Sequence, residues 1–188
     1  MNKLPDNELV IKKVIEILGG KEEARRKIES EFFNMQNRWD QDIDVIGRIL
    51  RAHLYVEHYL TEYLRKANPR LGNLNSVRIS FSQKIDLLDP NDSLVKDIIP
   101  GIRHLNKIRN RLAHNLSAEI TETDAEVFLS NLMFKALREA SARPNLPNLE
   151  PMVVLEKFAQ YAASSLNHQS SSLGAAYKQA FSGQNEVT

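Results

Sequence analysis

Residues 41–66 read QDIDVIGRILRAHLYVEHYLTEYLRK and contain no proline. Large apolar residues recur in this segment every three or four positions, which is the period of an amphipathic α-helix. They are Ile43, Ile46, Ile49, Leu50, Leu54, Leu60 and Leu64. The segment therefore predicts one long helix with an apolar stripe directed at a core, and Asn68-Pro69 predicts its end.

The segments before and just after this helix are also predicted to be helical. Two periodic segments precede it, and Gly19-Gly20 separates them as a helix-terminating pair. After it, Ser80 is followed three residues later by Gln83, which is the spacing of a capping box at the start of a short helix.

The second half of the chain continues the same pattern. A long helix is predicted over about residues 93–116, where Pro100-Gly101 predicts a kink or a restart. A sixth helix is expected to begin at Thr121 or Thr123 and to continue through Leu137, and a last one begins near Pro151. Since glycines and prolines are few and stand where periodic segments end, the chain is predicted to be all-α.

Composition limits the classes of function. The 188 residues include 25 basic and 24 acidic side chains, for a net charge of +1, so any contact with nucleic acid must use a local patch rather than bulk charge. There is no cysteine, which is ordinary for a cytoplasmic protein. No uninterrupted apolar run resembles a signal peptide or a membrane span, so no membrane association is expected.

Three polar residues project into apolar stripes when the long helices are drawn at about 100° per residue. His53 and Glu57 lie one turn apart in the first long helix, and Arg109 lies in the second. Because an unpaired buried guanidinium costs several kcal/mol, Glu57 is predicted to pair with Arg109. The alternative is that Arg109 reaches solvent at the rim of the core while His53 forms a hydrogen bond with a backbone carbonyl.

The opposite face of the second long helix is basic. Arg103, Lys107 and Arg111 share it with Asn110 and His114. The three cations alone are typical of a solvated surface, but beside a histidine they favour binding of an anionic substrate.

Residues 108–115, IRNRLAHN, resemble the motif of the HEPN superfamily, in which an arginine followed by a polar residue precedes a histidine by a short spacer. Here four residues separate Arg109 from His114. The context is also similar: a long helix with an internal acid at Glu57, then the short segment SFSQKIDLL, then the motif near the end of the next long helix. The resemblance covers about residues 41–117.

The resemblance implies an architecture and partners. The fold would be a HEPN-like up-and-down helical bundle over residues 41–120, with an N-terminal helical extension over 1–40 and further helices and a polar tail over 121–188, in one globular domain. Such proteins form homodimers in which the motif helices face each other. Many are RNA-cleaving toxins of toxin-antitoxin or phage-defence systems, restrained by an antitoxin or regulatory protein. Others are non-catalytic binding or regulatory modules, including transcriptional repressors.

The motif suits RNA cleavage. An imidazole titrates near neutrality, so His114 can remove the proton of a ribose 2′-hydroxyl, and Arg109 can hold the phosphate that this oxygen attacks. Asn110 would orient the imidazole or the substrate, and Glu57 would fix Arg109. The expected products are a 2′,3′-cyclic phosphate and a 5′-hydroxyl. On a straight helix Arg109 and His114 point about 140° apart, so a distorted helix end or a second subunit must bring them together.

No metal or other cofactor is expected. The five histidines show no HExxH spacing, and the sequence has no carboxylate cluster with ligand spacing and no glycine-rich phosphate loop. Two hypotheses remain: a metal-independent endoribonuclease that acts on RNA, or a non-catalytic helical module that binds another macromolecule.

Overall fold

The computed structural model describes residues 7–39, 43–69, 79–93, 95–114, 119–168, 171, 172 and 176. Within these ranges the regular structure is helical, without a strand, which confirms the all-α prediction. The α-helices are α1 (Asn7–Ile17), α2 (Lys21–Trp39), α3 (Ile43–Ala67), α4 (Phe81–Asp86), α5 (Ile99–His114), α6 (Glu122–Leu129), α7 (Leu132–Ala142) and α8 (Pro151–Asn167). Among these helices, none has both the length and the apolar run needed to cross a membrane. Asn115 and the polar tail lie outside the described residues.

The chain forms two compact units, Met1–Asp42 and Ile43–Thr188. The first unit is a helical hairpin of α1 and α2. Gly19 and Gly20 form its turn with φ angles of 96° and 101°, in the left-handed region that glycine adopts without strain. The N–H of Gly20 donates to the carbonyl of Ile15 at 2.9 Å, which closes the end of α1 as the glycine pair predicts.

The core of the second unit is built on the contact between α3 and α8, with α5 and α6 packed against them. Fully buried residues come from all three long helices: Ile49, Val56, Leu60, Leu64, Ile102, Leu105, Ile108, Val154, Leu155, Phe158 and Ala162. The helices after residue 121, which the resemblance leaves unexplained, are thus part of the core. Burial of this apolar surface is the main stabilising contribution to the unit.

The buried face of α3 differs from the predicted stripe. Ile49, Leu60 and Leu64 are buried as expected, but Leu50 and Leu54 remain 39% and 63% exposed. The face that meets α5 and α8 instead includes the small side chain of Ala52 and the polar ring of His53. Apolar side chains project from most sides of α3. The spacing of these residues alone therefore does not identify which side of α3 packs against the other helices.

Pro100 and Gly101 lie at the start of α5 and do not form a kink inside a longer helix. A 3₁₀ turn over Lys96–Ile98 leads directly into α5, so Pro100 lies in the first turn of α5, where its missing N–H disrupts no hydrogen bond. From Ile99 to His114 the helix is uninterrupted.

The predicted sixth helix is divided in two. Thr121 caps α6, and Asn131 begins α7 by accepting a hydrogen bond from the N–H of Phe134 at 2.9 Å. The Nδ2 of Asn131 also donates to the carbonyl of Asp97 at 2.8 Å. Side-chain capping at Asn131 therefore ends a segment that periodicity predicts to be continuous.

Candidate active site

The residues of the motif lie on the last two turns of α5. Arg109, Asn110 and His114 are all exposed, and Asn110 and His114 lie on the side of α5 turned away from the buried Ile108 and Leu112. The Nη1 of Arg109 donates to the Oδ1 of Asn110 at 3.2 Å, so the guanidinium and the amide of neighbouring residues are held together. The structure thus presents three of the four proposed catalytic side chains to solvent.

Exposure of Arg109 corrects the helical projection that placed it in the apolar stripe. Ile102 and Leu105 of the same stripe are completely buried, but the guanidinium one turn further reaches solvent at the rim of the core. This is the alternative position considered for Arg109, and it removes the need for a buried counter-ion.

Glu57 is paired with a residue other than the one expected. Its Oε1 lies 2.7 Å from the Nζ of Lys84, whereas no ion pair between Glu57 and Arg109 is formed among the described residues. Lys84 comes from the short helix α4, which packs between α3 and α5 and brings a cation to the carboxylate. The prediction that Glu57 holds Arg109 in place through an ion pair in the same chain is therefore wrong.

His53 connects this ion pair to α5. It is buried, its ring centroid lies 4.1 Å from that of Phe81, and its Nε2 lies 3.3 Å from the Oδ1 of Asn106. Burial lowers the pKa of His53, and the nearby charge of Arg109 lowers it further. The hydrogen bond with Asn106 and the charge of Glu57 raise the pKa, but they do not outweigh burial. A neutral imidazole with Nε2–H donates to Asn106, so His53 is bonded to a side chain and not to the backbone carbonyl considered from the sequence.

The three basic residues proposed to bind substrate differ in their surroundings. Arg103 forms an ion pair with Asp86, with 2.6 Å between Nη2 and Oδ1. Arg111 donates to the Oδ2 of Asp124 at 2.6 Å and to the carbonyl of Glu119 at 2.9 Å. Lys107 is exposed, and no carboxylate pairs with it in the part of the chain that the structure describes. The basic face is thus partly neutralised by acids of its own chain.

Asp124 anchors α6 to α5. Its carboxylate accepts hydrogen bonds from Arg111 and from both the N–H and the hydroxyl of Thr121, and its Oδ1 lies 2.9 Å from the Nε2 of His104. Burial by itself raises the pKa of Asp124, but the hydrogen bonds from Arg111 and Thr121 outweigh it and lower the pKa to about 2. Asp124 is therefore ionised at neutral pH, and Arg111 is committed to it.

Replacement of Asp124 by asparagine is expected to lower the free energy of unfolding by about 2 kcal/mol at pH 7. Because the folded-state pKa lies below the unfolded value, this stabilisation is complete above about pH 4 and is lost as the pH falls towards 2. Urea unfolding of wild type and variant between pH 7 and pH 2 measures the difference directly.

Asp86→Asn is the matched control, since Asp86 is exposed and its pair with Arg103 should contribute less than about 0.5 kcal/mol. A stability difference for Asp124→Asn that stays constant down to the acid limit would contradict the proposed role of the carboxylate.

Three residues that form polar contacts near the site were not predicted from the spacing of apolar residues. They are Lys84, Asn106 and Asp124. Lys84 lies within the quoted segment SFSQKIDLL, and Asn106 lies one turn before Asn110 on the same helix. The only signal for Asp124 is its position three residues after Thr121, which is the spacing of a capping box.

The arrangement provides a cationic and hydrogen-bonding face for an anion. Lys107, Arg109, Asn110 and His114 occupy an arc of about 160° around the exposed side of α5. Since α5 is regular through His114, the end of the helix does not turn the histidine towards Arg109. Comparison of the chain with protein-family models, with curated proteins and with solved structures finds no match.

Proposed function

We propose that this protein is a metal-independent endoribonuclease of the HEPN toxin or phage-defence type. The observation that carries the proposal is the contrast between arginines on one helix. Arg103 and Arg111 are neutralised by carboxylates, whereas Arg109 is exposed and bonded to Asn110 without a carboxylate partner among the described residues, on the same helix as the exposed His114. A guanidinium left without an acid in this position is available to a phosphate.

The proposed reaction begins at the ribose. His114 removes the proton of a 2′-hydroxyl, and the oxygen forms a bond to the adjacent phosphorus while the bond from phosphorus to the 5′-oxygen breaks. The leaving oxygen takes a proton from an imidazolium or from water. Arg109 holds two phosphate oxygens and stabilises the charge that develops on them in the transition state. The reaction needs no oxidant and no metal.

A homodimer is proposed to complete the site. In one chain the side chains of Arg109 and His114 diverge along a regular helix, so a two-fold axis near the end of α5 would supply the second group from the other copy. An apolar strip of Ile43, Leu50 and Leu54 on α3, all exposed, borders the position of His53 and provides a surface for such a contact.

Restraint by a protein partner also belongs to this proposal, since an unrestrained ribonuclease damages its own cell. An antitoxin or regulatory protein would cover the end of α5 or hold the two copies apart.

The test is to incubate the purified protein with a folded messenger-length RNA, and with DNA of the same sequence, in the presence of a chelator. The proposal predicts that RNA is cut and DNA is left intact, because only RNA carries the 2′-hydroxyl nucleophile. Cleavage of both polymers, or cleavage that stops in chelator, would contradict it.

A non-catalytic binding module is the second candidate, and one observation favours it. α7 and the segment after it expose a group of apolar side chains that the nuclease mechanism does not use. They are Leu132, Met133, Leu137, Leu146 and Leu149, with exposed fractions from 48% to 91%. Apolar patches of this kind mark surfaces that bind other proteins. Wild-type protein that binds a partner through this patch and leaves RNA intact would establish this candidate instead of the first.

A further inference from the structure

The N-terminal hairpin carries an apolar stripe that its own two helices leave uncovered. The stripe runs along α2 at spacings of three or four residues and covers an arc of about 80° on the surface of the helix. Its residues are Ala24, Ile28, Phe32, Met35 and Trp39. Only Ala24, near the turn, is buried. The other four are 59%, 62%, 70% and 81% exposed, in order along the helix.

The length of α1 explains the exposure of Phe32, Met35 and Trp39. α1 has 11 residues and α2 has 19, so in an antiparallel hairpin α1 lies along little more than the first half of α2. The half that ends at Trp39 extends beyond it. α1 adds apolar side chains of its own that are also exposed, among them Leu9, Val14 and Ile17 at 68%, 45% and 75%.

The charges of the hairpin indicate which kind of binding partner could cover this stripe. Across Asn7–Trp39 there are seven lysines and arginines and six glutamates. Several are already paired within α2, as in Arg25 with Glu29 and Arg26 with Glu23. An anionic membrane or a nucleic acid requires a face that is mainly basic, which this hairpin does not have. A surface of balanced charge suits a partner that also carries both signs, as a second copy does.

We propose that two copies of the chain associate through their α1–α2 hairpins to form a four-helix bundle. Each copy would place the projecting half of α2 against the hairpin of the other, around a two-fold axis. The exposed stripe together with adjoining apolar side chains of α1 presents an area of the same order as the roughly 800 Å² that each partner buries in a standard interface. The proposal is independent of ribonuclease activity, and this contact is separate from the strip on α3.

The experiment uses the fluorescence of Trp39, since it is the single tryptophan of the chain. The full-length protein is diluted from about 100 µM to about 0.1 µM, a range that spans the affinities of many homodimers, while sedimentation reports its mass. The expected result at high concentration is a complex joined by the hairpins, of two copies or of more where the proposed contact at α3 also forms, with the Trp39 emission shifted to the blue. Dilution should dissociate the hairpins and shift the emission to the red. Phe32→Glu should weaken the dimer by about 100-fold or more, because it would bury an unpaired carboxylate.

Leu87→Glu at the end of α4 is the matched control, since Leu87 is 44% exposed, lies outside the hairpin and belongs to none of the surfaces proposed above. It should leave both the mass and the emission of Trp39 unchanged, and circular dichroism should show that both variants keep their helices. A monomer at every concentration would overturn the proposal, and so would a dimer whose Trp39 emission does not respond to dilution. A blue shift that appears only on addition of anionic phospholipid vesicles would overturn it in favour of a membrane surface.

Discussion

Replacement of His114 by alanine is expected to lower kcat for RNA cleavage by about 100- to 10,000-fold, the range found when a general acid or base is removed. Replacement of Arg109 by alanine should lower kcat by about 100- to 1,000-fold through loss of transition-state charge stabilisation. Both side chains are exposed, so neither substitution leaves a cavity in the core. Initial rates at saturating RNA, measured in chelator, give the two values.

The structure supplies matched controls for both residues. Arg103 lies on the same helix as Arg109 but is paired with Asp86, and His58 is an exposed histidine on α3. Arg103→Ala and His58→Ala should change kcat by less than a factor of about three, as expected for surface positions that do not meet the reacting atoms. Equal losses in all four variants would indicate a general effect of charge or folding and would argue against the proposed roles.

Replacement of Gly101 by alanine is expected to lower the free energy of unfolding by about 2 to 3 kcal/mol. A Cβ at this position would lie 2.1 Å from Cζ of Phe158 and less than 3 Å from two further atoms of the same ring. Phe158 is 1% exposed, and its ring packs against those of Phe128 and Phe134 at centroid distances of 4.8 Å and 5.4 Å. The ring therefore has no free space to move into, and the gain in helix propensity does not offset the overlap.

Gly47→Ala is the control for backbone propensity. Gly47 lies inside α3 with no atom within 4 Å of the position that a Cβ would occupy, so alanine there should raise the free energy of unfolding by about 0.5 to 1 kcal/mol. Urea unfolding should give opposite signs for the two glycine variants. Destabilisation at Gly101 that persists in a Phe158→Leu background would show that the ring is not the cause.

Local features of the sequence predicted local structure well. Ser80 caps α4 with the capping box that its spacing to Gln83 predicts, and Thr121, one of the two residues expected to begin the sixth helix, caps α6. The glycine pair at 19 and 20 terminates α1. These features succeed because a cap or a turn depends only on residues a few positions apart.

Features that depend on packing could not be obtained in the same way. The cation beside Glu57 proved to be Lys84, which is 27 residues away and is supplied by α4. Burial of Asp124 depends on Arg111 and His104 from another helix. Helical projection places Arg109 in the apolar stripe, but whether a stripe is covered depends on how far the neighbouring helices extend. The exposed set of Arg109, Asn110 and His114 is therefore a result of the tertiary structure.

Mass spectrometry of the products from a DNA oligonucleotide containing one ribonucleotide tests the proposed activity most directly. The reaction is run in chelator with wild type and with His114→Ala. Attack by the 2′-hydroxyl predicts one cut, directly 3′ of the ribonucleotide, with a 2′,3′-cyclic phosphate on one fragment and a 5′-hydroxyl on the other, and no cut by the variant. An intact oligonucleotide, a fragment with a 3′-hydroxyl, or equal cleavage by the variant would contradict it.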